Sequence, residues 1–147
     1  MALDIKIKSN PEAIKKRFNR IQRKFPSIIE KGILQGGFQL LDIIRTKTAK
    51  GIDFRNVPFA QYSESYLKQL QREGKPTKVD LFYSGRMLGA LTPSPRTVRK
   101  TGKNKISLGF SNAQMRQRAL FNQVLNQPNR EFFGFNDRTE KIISKQF

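Results

Sequence analysis

Residues 80–91 read Asp-Leu-Phe-Tyr-Ser-Gly-Arg-Met-Leu-Gly-Ala-Leu, and the rest of the 147-residue chain is arranged on either side of them. Ser84 is placed to cap a short helix, and the spacing of Met87, Leu88 and Leu91 puts them on one face of it. A linker rich in Gly, Lys and Pro precedes this stretch, and a basic segment with two prolines follows it. We therefore expect residues 80–91 to be the junction between a helical half and a later, strand-rich half.

The N-terminal end is predicted to form a strand and then the start of a helix. Leu3, Ile5 and Ile7 alternate with polar residues, which is typical of a strand with one solvent-exposed face. Asn10 and Pro11 then suit the N-cap and the first position of a helix.

Apolar residues at helical spacing continue to about residue 50, with one predicted interruption. Ile14, Phe18 and Ile21 recur at helical spacing among many cations, which predicts an amphipathic helix with a cationic outer face. Phe25-Pro26 should end this helix, because proline disfavours helical geometry in the preceding residue. Ser27 is then placed to cap a second and longer helix that runs to about residue 50, followed by a C-cap glycine at Gly51.

Three glycines lie inside the longer predicted helix, at Gly32, Gly36 and Gly37. Each costs helix stability relative to alanine, so a compensating close approach of another backbone is expected. That backbone belongs either to the sheet of the same chain or to a neighbouring subunit. All three glycines are therefore candidates for a contact between subunits.

The C-terminal half is predicted to hold a hairpin, two helices and an aromatic strand. Residues 96–100 and 105–110 are predicted to be the two strands of the hairpin, and residues 131–135 are predicted to be the aromatic strand. The expected helix N-caps after residue 52, besides Ser84, are Ser63, Asn112 and Asn136.

The predicted fold is a single α+β domain over residues 1–147. A small antiparallel sheet of about four strands packs against a long N-terminal helix, with short additional helices. Residues 1–51 supply the first strand and helices, residues 52–91 a loop, a helix and the junction, and residues 92–147 the remaining elements.

Positive charge is the strongest compositional signal, with 29 Lys and Arg residues against 11 Asp and Glu residues and a net charge of +18. Residues 1–50 hold twelve of these cations and residues 92–147 hold eleven, so the charge is not a detachable tail. Such a field favours nucleic acid or an acidic protein as partner. The alternative is a basic surface that only keeps the protein soluble.

Composition also argues against several functional classes. The chain has no His and no Cys, so it lacks the commonest general base and the usual zinc ligands, and the lack of disulfides suits an intracellular origin. Its acidic residues form no ligand-spaced cluster. The sequence contains no run of 18 apolar residues, so a membrane-spanning helix is not expected. We interpret the protein as not an enzyme, with no cofactor, no metal and no membrane association.

The predicted hairpin is the best candidate site, because five cations fall within ten residues that contain no acid: Arg96, Arg99, Lys100, Lys103 and Lys105. These side chains could bind phosphates or an acidic partner. Equally, lysines at a sheet edge could only discourage aggregation. The cationic face of the first helix offers a second candidate surface at Lys15, Lys16 and Arg20.

Two parts of the sequence resemble the neck and tail-completion proteins of tailed bacteriophages, also called virion morphogenesis or head-tail joining proteins. Residues 57–66 read Val-Pro-Phe-Ala-Gln-Tyr-Ser-Glu-Ser-Tyr, and after a spacer residues 80–88 follow. They are similar to the family's aromatic Tyr-Ser segment and its Leu-x-x-Ser/Thr-Gly-x-Met/Leu-Leu segment. Residues 118–122 leading to residues 129–135, Asn-Arg-Glu-Phe-Phe-Gly-Phe, resemble the family's late Arg-x-Phe-x-Gly element.

This resemblance implies a structural subunit of the virion, made in the cytoplasm of the bacterial host. It implies a ring of identical subunits, a hexamer or dodecamer, between the portal-side connector and the tail, with DNA passing through the channel. The alternative function is a non-enzymatic nucleic-acid-binding protein that acts by neutralising phosphates.

Overall fold

The computed structural model describes residues 10–82 and 84–145, and this part of the chain is an α+β fold. Helices α1 to α5 span Pro11–Ala49, Glu64–Arg72, Arg86–Gly89, Ala113–Leu120 and Asp137–Ser144. Helix α4 continues directly into a π-helical turn, Phe121–Leu125. Strands β1 (Val98–Gly102) and β2 (Lys105–Leu108) form an antiparallel hairpin. Among these residues, no helix combines the length and apolarity that crossing a membrane would need.

Helix α1 is continuous over 39 residues, so the predicted break at Phe25-Pro26 is wrong. The start is as predicted, since the Asn10 side chain accepts from the backbone N–H of Ala13 and Pro11 is the first helical residue. Pro26 lies inside the helix, where it removes one backbone hydrogen bond. Because this part of α1 is exposed, water can satisfy the freed carbonyl. Ser27 is not an N-cap, because its hydroxyl donates to the carbonyl of Lys24 within the helix (2.8 Å).

The expectation of about four strands is not confirmed, since residues 10–82 and 84–145 contain only the two-stranded hairpin and one isolated bridge. The strand predicted over residues 3–7 lies outside the described residues. The strand predicted over residues 131–135 does not form, since these residues belong to no ladder. The N–H groups of Phe132 and Phe133 donate instead to Oε1 of Gln123, at 2.9 and 3.0 Å. A side chain therefore takes the place that a neighbouring strand would have.

Three of the four N-caps predicted after residue 52 are confirmed. The side chains of Ser63, Asn112 and Asn136 accept backbone N–H groups at the starts of α2, α4 and α5. The predicted cap at Ser84 is wrong, because Gly85 is the N-cap of α3 and has a left-handed backbone with φ +69°. At this position the backbone must take a conformation that glycine adopts easily.

The core lies between the second half of α1, the junction and the C-terminal segment. Leu41 and Leu91 are fully buried, and Phe132 is almost completely buried. Leu91 and its neighbours Met87 and Leu88 give the junction the central place that the sequence predicts. The hairpin packs its apolar face on α1 as well. This packing fixes the position of the hairpin relative to α1.

Candidate interaction surfaces

The hairpin presents one apolar face and one cationic face. Val98 pairs with Leu108 and Lys100 with Ile106, and these pairs lie on the side that faces α1. Arg99 pairs with Ser107 and therefore lies on the opposite, outer side. Strand alternation places Lys105 on that outer side too, two residues from Ser107. The predicted hairpin thus forms with Arg99 and Lys105 on its outer face and Lys100 on the face toward α1.

The five predicted hairpin cations differ in their partners. Lys100 Nζ donates to Oε1 of Glu30 on α1, at 2.7 Å, and is therefore neutralised. Nε of Arg99 donates to the carbonyl of Arg96, which orients the guanidinium without neutralising it. Within residues 10–82 and 84–145, the exposed cations of the hairpin that form no salt bridge are Arg96, Arg99, Lys103 and Lys105. These four keep the positive charge that a phosphate or carboxylate partner needs.

The first half of α1 projects from the core as an arm, which we define as residues 11–28. Every residue of the arm is exposed. At 1.5 Å per residue the arm is about 27 Å long. The predicted cations Lys15, Lys16 and Arg20 lie on it, and like the four hairpin cations they form no salt bridge within the described ranges.

One side of the arm is aligned with the hairpin. Lys16, Arg23 and Glu30 follow one another at intervals of seven residues, so they lie along one face of α1. Glu30 bonds Lys100 of the hairpin, and Gly37 continues the same face. Of the predicted arm cations, Lys16 therefore lies on the side of the molecule that carries the hairpin, whereas Lys15 lies next to Ile14 on the other side of α1.

The opposite side of the arm carries an apolar stripe, which consists of Ile14, Phe18, Ile21, Phe25 and Ile28. These side chains are between 49 and 68% exposed. The sequence indicates the stripe by its spacing, but spacing does not show whether another part of the protein covers it. Within the described residues the stripe is open to solvent.

The three glycines that were predicted to contact another subunit have different surroundings. A Cβ on Gly37 would lie 2.5 Å from Ile106 Cδ1 and 2.8 Å from Val98 Cγ1. The hairpin of the same chain therefore fills the space beside Gly37, which agrees with the first of the two alternatives at this position. Gly36 is buried, and Gly32 is partly exposed on the same helix. For these two a contact between subunits stays a prediction.

A cleft of about 490 Å³ is a feature that the sequence does not reveal. Its walls come from the loop before α2, from the junction, and from the segment after α4. Tyr62 and Tyr66 line it with an edge-to-face contact between their rings, 4.9 Å apart. Arg118 and Arg130 supply guanidinium groups. Such a lining suits a ligand that is partly apolar and partly anionic.

Arg130 holds the two sides of this cleft together. It is buried, and it donates from Nε to the carbonyl of Ala60 (3.2 Å) and from Nη2 to that of Gln61 (3.1 Å). Its guanidinium carbon lies 4.9 Å from the centre of the Tyr62 ring. Burial raises the pKa of Tyr62, with Tyr66 acting in the same direction and Arg130 opposing it. The sequence signal was the late Arg-x-Phe element, which did not show what the arginine contacts.

No group of three or more potential metal-ligating side chains occurs within the described ranges. Searches against protein families, curated proteins and solved structures found no match to this chain.

Proposed function

We propose that this protein is a structural, non-enzymatic subunit of the ring that joins the head connector of a tailed bacteriophage to its tail. The observation that carries the proposal is the contact of Arg130 with Ala60 and Gln61. It joins the late Arg-x-Phe element to the aromatic Tyr-Ser segment, two stretches that are far apart in sequence. Their meeting supports reading them as one pattern that the resemblance covers.

The surfaces suit this role. Neck proteins contact DNA in the channel and proteins on either side, and both kinds of partner can be anionic. Arg96, Arg99, Lys103 and Lys105 offer charges without an acidic partner among the described residues, and the arm offers an uncovered apolar stripe. In the proposal the subunits form a hexamer or dodecamer in the virion.

Disruption of the gene in its native genome, followed by electron microscopy of the lysate, tests the proposal. We expect filled heads and tails that do not join, or tails of abnormal length. An intact copy supplied on a plasmid should restore joined particles. Normally assembled particles without the gene, or a genome that yields no phage particles at all, would refute the proposal.

The second candidate function is nucleic-acid binding by phosphate neutralisation, without enzymatic activity. The four exposed cations of the hairpin favour it, since like charges on one small element repel each other unless an anion binds. The hairpin contains no aromatic residue for stacking on bases, so binding would be independent of sequence.

A further inference from the structure

The apolar stripe of the arm has the spacing of a coiled-coil interface. Its five residues follow one another at intervals of four, three, four and three, which is a heptad repeat with apolar a and d positions. The period of 3.5 residues keeps a partner helix in register with the stripe along its whole length. The stripe is also narrow, with one residue at each step. These features indicate a single helix as the partner.

The charges beside the stripe decide what kind of helix fits. The positions that flank it on both sides hold Lys15, Arg17, Gln22, Lys24, Ile29 and Lys31. Four of these six residues are cations and none is an acid. At such flanking positions, charges across the interface set the choice of partner. The matching helix must therefore carry acidic residues on both sides of its own apolar stripe.

Pairing of two copies of the arm would bring like charges together. In a parallel or an antiparallel pair, the flanking cations of one copy face those of the other. The body of the same protein does not offer an acidic surface in compensation, since the whole chain has a net charge of +18. A second copy is thus a poor occupant of the stripe.

Lipid and DNA fit the stripe less well than a helix. A helix that lies on a membrane usually has a broad apolar face, whereas here cations directly border a row one residue wide. Phosphate contacts would use Lys16 and Arg23 on the opposite side of the arm and leave the apolar residues in water. Neither explains the heptad spacing.

We propose that the arm binds a helix of a different protein, and that this helix carries an apolar heptad stripe flanked by Glu or Asp. The arm and the partner helix would associate with their apolar stripes in contact and their flanking charges paired. This surface lies on the side of α1 away from the basic hairpin. The protein could therefore hold an acidic protein partner and an anionic ligand of the hairpin at the same time.

Binding of designed helical peptides to the full-length protein tests this. The acidic probe is a labelled peptide of about four heptads with Ile at a, Leu at d and Glu at e and g, and the basic probe has Lys at e and g. We expect fluorescence anisotropy to show the acidic probe binding at least about tenfold tighter than the basic probe. The double variant Phe18→Gln/Phe25→Gln should weaken that binding about tenfold or more, because it removes two apolar anchors without lowering helix propensity.

Charge reversal on either side of the arm supplies the matched control. Arg17→Glu/Lys24→Glu, beside the stripe, leaves two cations and two acids at the flanking positions and should abolish most of the preference for the acidic probe. Lys16→Glu/Arg23→Glu makes the same change in net charge on the opposite side and should leave the preference intact. Equal effects of the two double variants would mean non-specific attraction and would overturn the proposal.

Other occupants give other results, each of which overturns the proposal. Self-association that depends on Phe18 and Phe25, measured by sedimentation, would identify a second copy. Stripe-dependent binding to vesicles of anionic phospholipid, without binding of the acidic probe, would identify a membrane. The test uses only the purified protein and designed probes, so its outcome is independent of whether the protein is a virion component.

Discussion

Lys100 Nζ lies 2.7 Å from Glu30 Oε1, and this ion pair joins the hairpin to α1 at the base of the arm. Both side chains are substantially exposed, so the pair contributes at most about 1 kcal/mol to stability. Its importance is geometric. The ion pair neutralises Lys100 and fixes the hairpin, with its other cations, next to Glu30. Lys16 and Arg23 lie on the same face of α1 as Glu30, and residues 16 to 30 span about 21 Å of helix. The basic surface therefore extends from the hairpin onto the arm.

The four unpaired hairpin cations should dominate any binding to DNA. We expect the isolated protein to bind double-stranded DNA with an affinity that falls steeply with salt. Replacing Arg96, Arg99, Lys103 and Lys105 together by Gln should reduce the slope of log K against log salt by up to about 4, because each phosphate contact contributes about 0.9. A salt titration by fluorescence anisotropy measures this slope.

The control for this experiment replaces four exposed cations on α2, on α5 and at the C-cap of α5 by Gln, namely Lys68, Arg72, Lys141 and Lys145. It makes the same change in net charge away from the hairpin. The slope of log K against log salt should therefore stay close to that of the wild type. If both sets reduce the slope equally, the hairpin is not the DNA-binding site. Absent or salt-insensitive binding of the wild type would remove the nucleic-acid function altogether.

Gly37 should tolerate no side chain without a loss of stability. We expect Gly37→Ala to lower the free energy of unfolding by about 1–3 kcal/mol, because its Cβ would overlap Val98 and Ile106 of the hairpin. Urea unfolding measures the change. Gly89→Ala is the matched control, since nothing lies within 4 Å of the Cβ it would add. An equal loss in both variants would show that the contact between α1 and the hairpin is not tight.

Local signals predicted the local structure well. The caps at Asn10, Ser63, Asn112 and Asn136 were confirmed because an N-cap depends on a side chain and a backbone only two or three residues away. The same local rule failed at Pro26. There a single lost hydrogen bond at an exposed site did not outweigh the continuous helix on either side.

Features that join distant parts of the chain were not predictable. Residues 131–135 have the composition of a strand, but Gln123 satisfies their N–H groups, and nothing in the sequence indicates that contact. The cleft forms only because Arg130 reaches Ala60 and Gln61. Periodicity shows that a helix has an apolar face but not what covers that face, so it could not show that the stripe on the arm is open.

Arg130 should be important for stability. Arg130→Met removes a buried guanidinium that donates to two backbone carbonyls, and we expect the free energy of unfolding to fall by about 2–4 kcal/mol. Arg130→Lys should restore only part of this, because an ammonium group cannot reproduce the spacing of the guanidinium donors. Arg116→Met, at an exposed position on α4, is the control and should change stability by less than about 0.5 kcal/mol. Chemical denaturation compares all three variants.

Tyr62 should make the protein less stable at high pH. Burial raises the pKa of Tyr62 in the folded state above its ordinary value of 10.0, so the folded state holds the phenol proton more tightly than the unfolded state. The contribution of Tyr62 to the free energy of unfolding is therefore fully present below about pH 10 and is lost as pH rises through the pKa of the folded state. Burial lowers the pKa of Lys47, which acts in the opposite direction. The difference between wild type and Tyr62→Phe isolates the tyrosine.

The measurement for Tyr62 is urea unfolding at a series of pH values from about 8 to 11. We expect the stability of the wild type relative to Tyr62→Phe to be constant up to about pH 10 and then to decline. The variant keeps the aromatic ring and its contact with Arg130. A difference that stays flat across the whole range would show that the phenol titrates alike in the folded and unfolded states.

The arm and the core should respond very differently to loss of apolar side chains. Phe18→Gln/Phe25→Gln should change the free energy of unfolding by less than about 0.5 kcal/mol, because both rings are already more than half exposed. Leu41→Ala on the same helix should cost about 2–5 kcal/mol, since Leu41 is fully buried and its loss leaves a cavity. Thermal and urea unfolding compare the two. If the Phe variant were as unstable as Leu41→Ala, the arm would be packed against the protein in solution, and its stripe would not be free to bind a partner helix.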